Sequence, residues 1–144
     1  MSHDPPAATT PAPLLIPENH LRAMIDHCKA VAPHEACGLL SGVAPLISAF
    51  HPLNNIKASE TRYLADPADL IRAVEAIRLA KTEILAIYHS HPRSPAIPSK
   101  VDLAENYYDD VPRIIVSLMG DTLDVRTWRL WPDRYAELPW AVAP

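Results

Sequence analysis

The chain has 144 residues, enough for one compact domain with its own hydrophobic core. A net charge of −4 and a pI near 5.9, with no run of Lys and Arg, argue against a nucleic-acid partner. No stretch approaches the roughly 18 apolar residues that span a bilayer. Met1–Pro17 lacks the basic start and apolar core of a signal peptide. The two cysteines, Cys28 and Cys37, are too few for a secreted disulfide framework. A cytoplasmic protein with no membrane partner is expected.

Residues 1–13 are rich in Pro, Ala and Thr and show no hydrophobic periodicity, which predicts a disordered leader ahead of a domain spanning 14–144. Pro17-Glu18 opens a helical pattern carried by Leu21, Met24, Ile25, Cys28 and Val31, and Pro33 ends it. Ala36 to Leu40 reads as a buried strand closed by Ser41-Gly42. Leu46 to Phe50 reads as a second strand, stopped by Pro52 and the turn-like Asn54-Asn55. Tyr63-Leu64 is a further short strand candidate. Asp66 is placed to cap a helix running to about Lys81, with Leu70, Val74, Ile77 and Leu79 or Ala80 as its buried face.

Ile84 to His89 is a dense apolar run suited to a central strand. Residues 92–98 form a proline-stiffened loop, and a short helix is expected from Ser99 to about Tyr107. Arg113–Met119 and Leu123–Leu130 read as strands joined at Gly120-Asp121. Trp131, Tyr135, Leu138 and Trp140 suit a tail docked on the core. Alternating strands and helices with hairpins predict an α/β fold: three layers, with a mixed sheet flanked by helices.

The chemistry is concentrated in His89-Ser90-His91-Pro92, Ser99 and Asp102. On a strand, residues two apart project to one face, so His89 and His91 can reach one ion while Ser90 points away. Pro92 ends the strand there. Asp102, in the first turn of the next helix, can turn back toward the strand end. Two imidazoles and a carboxylate are donors of the kind that suit zinc and leave a fourth position for water. Ser99-Lys100-Val101-Asp102 also has the form of a capping box, a reading compatible with the first.

The pattern H-x-H-x7-S-x2-D, met by His89, His91, Ser99 and Asp102, resembles the signature of the JAMM/MPN+ (JAB domain) metallopeptidases. His34 to Leu40 looks like the strand that carries their catalytic glutamate. The likeness runs on through Asn54, Tyr63, Asp66-Pro67 and Tyr88, over roughly residues 14–130. It is strongest to small prokaryotic members that act on ubiquitin-like sulfur-carrier proteins.

The resemblance implies a cytidine-deaminase-like fold and a Zn2+ held by His89, His91 and Asp102. It implies Glu35 as proton carrier for the attacking water and Ser99 as oxyanion donor. The implied reaction is hydrolysis of a peptide or isopeptide bond at the Gly-Gly C-terminus of a ubiquitin-like or sulfur-carrier protein. The rival is a non-catalytic scaffold of the same fold that only binds partner proteins. A deaminase-like hydrolase is disfavoured, because its C-x-x-C ligand pair is missing. His34 and His51 read as surface residues, and Cys28 and Cys37 as core.

Overall fold

The computed structural model describes residues 12–105 and 110–144. The predicted leader therefore lies almost wholly outside the described residues. Among the described residues, eight strands and three helices follow one another as β1 (Leu14–Pro17), α1 (Glu18–Val31), β2 (Cys37–Val43), β3 (Leu46–Leu53), α2 (Pro67–Leu79), β4 (Glu83–His91), α3 (Lys100–Ala104), β5 (Arg113–Ser117), β6 (Asp124–Leu130), β7 (Tyr135–Leu138) and β8 (Trp140–Ala143). None of these helices is long and apolar enough to cross a membrane.

The strands form one mixed sheet in the order β7-β6-β5-β4-β2-β3-β1-β8. β4 and β5 run parallel, as do β1 and its two neighbours, and the remaining pairs are antiparallel. The predicted hairpin is the β5–β6 pair, with Gly120 at φ +79° in its turn. β7 and β8 lie at opposite edges, yet Pro139 alone separates them in the chain. The sheet must therefore curl until its edges approach. Trp140 on β8 spans the gap and donates its indole N–H to the Val125 carbonyl on β6 at 3.1 Å.

Side-chain alternation assigns the two faces. Leu40, Ala86, Tyr88, Ile114 and Val116 pack with Met24 and Cys28 of α1, joined at the seam by Val125 and Trp140. Cys37, Leu39 and Ile87 point the other way, onto Ala73 and Ile77 of α2. On that second face Leu103 of α3 meets Ile115, Trp128 and Leu130. Helices thus cover both faces of a mixed sheet, as expected, and the curl wraps the first face around α1.

Four details depart from the sequence reading. The buried stripe of α2 is Leu70, Ala73 and Ile77, while Val74 and Leu79 are exposed. The small Ala73 lets the helix approach the sheet on that side. β3 continues through Pro52 to Leu53, because β1 pairs with β3 only at Leu15↔Leu46. The rest of β3 is an edge, where a missing N–H is tolerated. Tyr63-Leu64 forms no strand; one isolated bridge, Asn55↔Ala65, closes that loop. Leu14–Pro17 and the tail supply strands that no periodicity announced. The expected end of α3 near Tyr107 falls outside the described residues.

Candidate metal centre

β4 is central and buried over most of its length. Its apolar stretch Leu85–Tyr88 drives the strand between β2 and β5, and the chain delivers His89 and His91 at the strand's end on the α2 face. Ser90 projects to the opposite face. Its hydroxyl accepts from the Ala36 N–H at 2.8 Å, and its own N–H donates to the Ala36 carbonyl at 3.0 Å. These bonds prolong the β2–β4 ladder beyond Cys37↔His89. Continuing that register by two residues sets Glu35 opposite His91, on the same face.

Asp102 arrives from α3. Ser99 caps the helix, its hydroxyl accepting from the Asp102 N–H at 3.1 Å. The Asp102 carboxylate accepts from the Ser99 N–H at 2.9 Å. This is the predicted capping box with Asp in the acidic position. The cap fixes the carboxylate and turns it toward β4, so capping and an approach of Asp102 to the two histidines are compatible.

The three predicted ligands converge. His89 Nε2 lies 3.1 Å from Asp102 Oδ1, His91 Nε2 lies 3.0 Å from Asp102 Oδ2, and the two Nε2 atoms are 3.2 Å apart. His89, His91 and Asp102 are 1%, 3% and 9% exposed, and Glu35 is 3% exposed. His91 Nδ1 sits 2.7 Å from the Pro95 carbonyl, which can only accept. That contact places a ring proton on Nδ1 and turns Nε2 toward Asp102 and His89. Two imidazole nitrogens and a carboxylate turned on one point become the donor set of a cation once both Nε2 atoms give up their protons.

The spacing fits as well. Ligand bonds of about 2.0 Å in tetrahedral geometry separate ligand atoms by about 3.3 Å, close to the triangle observed. Among the described residues this is the one group of His, Cys, Asp and Glu with ligand atoms gathered closely enough to hold a metal ion.

Burial pushes the Glu35 carboxyl up to about 8, and the Asp102 charge acts in the same direction against an opposing effect of His91. Its Oε1 has no hydrogen-bond partner among the described residues. Burial alone would raise Asp102 too. The His89 charge and hydrogen bonds from both histidines and the Ser99 amide outweigh it and hold Asp102 well below the ordinary carboxylate range. Glu35 is therefore the carboxylate of the pair shifted up and Asp102 the one shifted down, a separation set by environment. A cavity of ≈ 390 Å³ opens beside His89 and Asp102, with Leu39, Leu53, Tyr63, Leu70 and Ile87 in its wall.

All five predicted site residues thus gather at the carboxyl end of β4. His34 is exposed as expected, whereas His51 is half-buried and within 2.8 Å of the Ser41 hydroxyl. Cys28 and Cys37 are buried free thiols. Two neighbours of the site were not among the predicted site residues. Tyr63 stacks on His89, with centroids 5.0 Å apart. Asn55 donates to the Glu35 carbonyl at 3.0 Å. Nothing in one sequence marks a loop tyrosine or asparagine as a neighbour of a strand-end histidine or of Glu35.

The curled mixed sheet and the His-x-His strand end facing a helix-borne aspartate define an α/β protein built around a candidate metal centre. The chain belongs to the prokaryotic homologs of the JAB domain, a family that matches residues 17–131. It is 38% identical over 108 residues to a probable TtuB-protein conjugate cleaving protease of Thermus thermophilus, covering 74% of this chain and 72% of that one. It is 30% identical over 129 residues, 88% of each chain, to a CysO-cysteine peptidase of Mycobacterium tuberculosis. A solution structure of a protein from Desulfitobacterium hafniense superposes with a TM-score of 0.81 at 26% identity, over 90% of this chain and 92% of that one. A JAB1/MPN domain protein of Archaeoglobus fulgidus shares the fold at a TM-score of 0.59 and 18% identity, over 93% of this chain and all of that one.

Proposed function

We propose that this protein is a zinc-dependent peptidase of the cytoplasm. Its substrate is a peptide or isopeptide bond at the C-terminal Gly-Gly tail of a ubiquitin-like or sulfur-carrier protein. The observation that carries the reading is the convergence of His89 Nε2, His91 Nε2 and one Asp102 carboxylate within 3.0–3.2 Å of one another, with a His91 ring proton held on its far nitrogen. Relatives named for cleaving TtuB-protein conjugates and for CysO-cysteine peptidase activity support a tail or conjugate as substrate.

His89, His91 and Asp102 hold the metal, which when bound supplies Lewis acidity and lowers the pKa of coordinated water. Glu35 does the proton work. Its unpartnered Oε1 takes the proton of the attacking water and returns it to the leaving amine. Ser99 supplies the oxyanion donor. Its oxygen accepts from the Asp102 amide, so its hydroxyl proton is free to point at the developing negative charge. Glycines at the scissile bond suit a centre this deeply buried, since any side chain would hold the backbone away from it.

The test uses a carrier protein ending in Gly-Gly and joined to a short adduct. The expected result is release of the adduct by the zinc-loaded protein, its loss with a chelator, and its loss in Glu35→Gln with zinc content unchanged. A zinc-loaded wild-type protein that binds the carrier and releases nothing would establish the scaffold reading instead.

A further inference from the structure

Glu35 lies in no ladder pair of its own, and its Oε1 has no hydrogen-bond partner among the described residues. What orients it is its main chain, and both polar groups of that main chain are held by the loop between β3 and α2. The Glu35 N–H donates to the Ser59 carbonyl at 2.7 Å, and the Glu35 carbonyl accepts from Asn55 Nδ2 at 3.0 Å.

Asn55 is the hub of that loop. Its second Nδ2 proton goes to the Arg62 carbonyl at 3.0 Å, and its Oδ1 accepts from the N–H groups of Lys57 at 3.1 Å and Leu64 at 2.9 Å. Two donors and two acceptor sites are all that a carboxamide has, and all four are filled. The loop is closed behind it by the Asn55↔Ala65 bridge and by the Ile56 N–H to the Leu64 carbonyl at 2.9 Å. Asn55 touches none of His89, His91 and Asp102 through these bonds.

Resting on the peptidase reading above, we infer that Asn55 is the positioning residue for Glu35, holding the proton-carrying carboxylate in place through its main chain. The group it serves must be placed closely, because a shift of about 1 Å in a reacting group lowers turnover by about 100-fold. The Asn55 amide is chemically irreplaceable at this spot. The nearly isosteric Asp keeps both acceptor contacts, but it sets a carboxylate oxygen against the Glu35 and Arg62 carbonyls, where two donors are required.

The experiment compares wild type, Asn55→Asp and Asn55→Ser for zinc content, for kcat and KM on the Gly-Gly-tailed carrier, and for amide exchange of the metal-free protein by NMR. Expected for both variants is one zinc per chain, a KM within about twofold, and a kcat lowered by about 10–100-fold, as for other residues that orient a site from behind. The Glu35 amide, protected in wild type by Ser59, should exchange at least about tenfold faster, with the Leu39 and Ile87 amides unchanged. Unaltered Glu35 exchange with normal kcat overturns the inference. So does a loss of activity that merely tracks a loss of folded, zinc-bound protein. Normal turnover by Glu35→Gln would instead overturn the peptidase reading, independently of Asn55.

Discussion

The ring of Tyr63 stacks on that of His89, with centroids 5.0 Å apart and planes inclined by 28°. The two histidines are therefore steadied by different means. His91 is fixed by its Nδ1 hydrogen bond to Pro95, whereas His89 Nδ1 has no partner among the described residues and its ring is held by stacking. Tyr63→Phe should keep zinc affinity, because the ring face is retained. Tyr63→Ala should weaken it about tenfold, the lower end of the effect of orienting groups on metal sites. Competition against a chromogenic chelator measures both.

Zinc should stabilise the fold as well as serve the reaction, because the folded chain assembles three donors that lie 2 and 11 residues apart in sequence. At free zinc about 100-fold above Kd the gain is about 2.7 kcal/mol. Thermal melts with zinc and with EDTA should differ accordingly, and the difference should vanish in His91→Ala. A zinc-dependent rise in Tm that survives in His91→Ala would place the ion elsewhere.

Glu35 gives the metal-free protein a pH dependence whose sign is fixed. Its pKa rises from 4.5 to about 8 on folding. The stability it contributes is thus fully present below pH 4.5 and lost as pH rises through about 8. Metal-free Glu35→Gln should therefore match wild type in Tm at low pH and exceed it increasingly between pH 5 and about 8, levelling off above. Equal Tm values across that window would contradict the buried setting of this carboxylate.

Substitutions can separate the observed cap of Ser99 from its proposed oxyanion role. Ser99→Ala should lower stability by about 1 kcal/mol through the lost cap, and lower kcat by about 100-fold or more through the lost oxyanion donor. Ser99→Asn should restore the cap, since its side-chain oxygen can accept from the Asp102 N–H, without restoring turnover. Urea unfolding and steady-state kinetics on the same preparations distinguish the two.

Gly38 tests the floor under the site. A Cβ there would overlap the ring of Tyr88, which is fully buried and whose hydroxyl lies 2.7 Å from His27 Nδ1. Gly38→Ala should destabilise the protein by about 1–3 kcal/mol or more through overpacking. Gly38 faces α1, opposite to His89, so the variant should bind zinc normally wherever it stays folded.

The sequence alone determined the local chemistry. The alternation that puts His89 and His91 on one face, the stop at Pro92 and the cap that fixes Asp102 are properties of short segments, set by strand period and turn geometry whatever the rest of the chain does. The same holds for the span of α1, the apolar core of β4 and the β5–β6 hairpin. Glu35 was legible only through resemblance, since an acidic residue after a helix-ending proline carries no local mark.

Only the tertiary structure decided how these pieces meet. The Ser90–Ala36 bonds set Glu35 opposite His91. Asn55 and Ser59 hold its main chain from a loop 20 or more residues away. The sheet curls because one residue, Pro139, joins two strands at its opposite edges. Val74 and Leu79 were misjudged for the same reason. A helix's own period allows several adjacent stripes, and which one is buried depends on the surface it meets. Contacts between distant segments draw their energy from burial and hydrogen bonds that exist only once the chain has folded, so no window of sequence contains them.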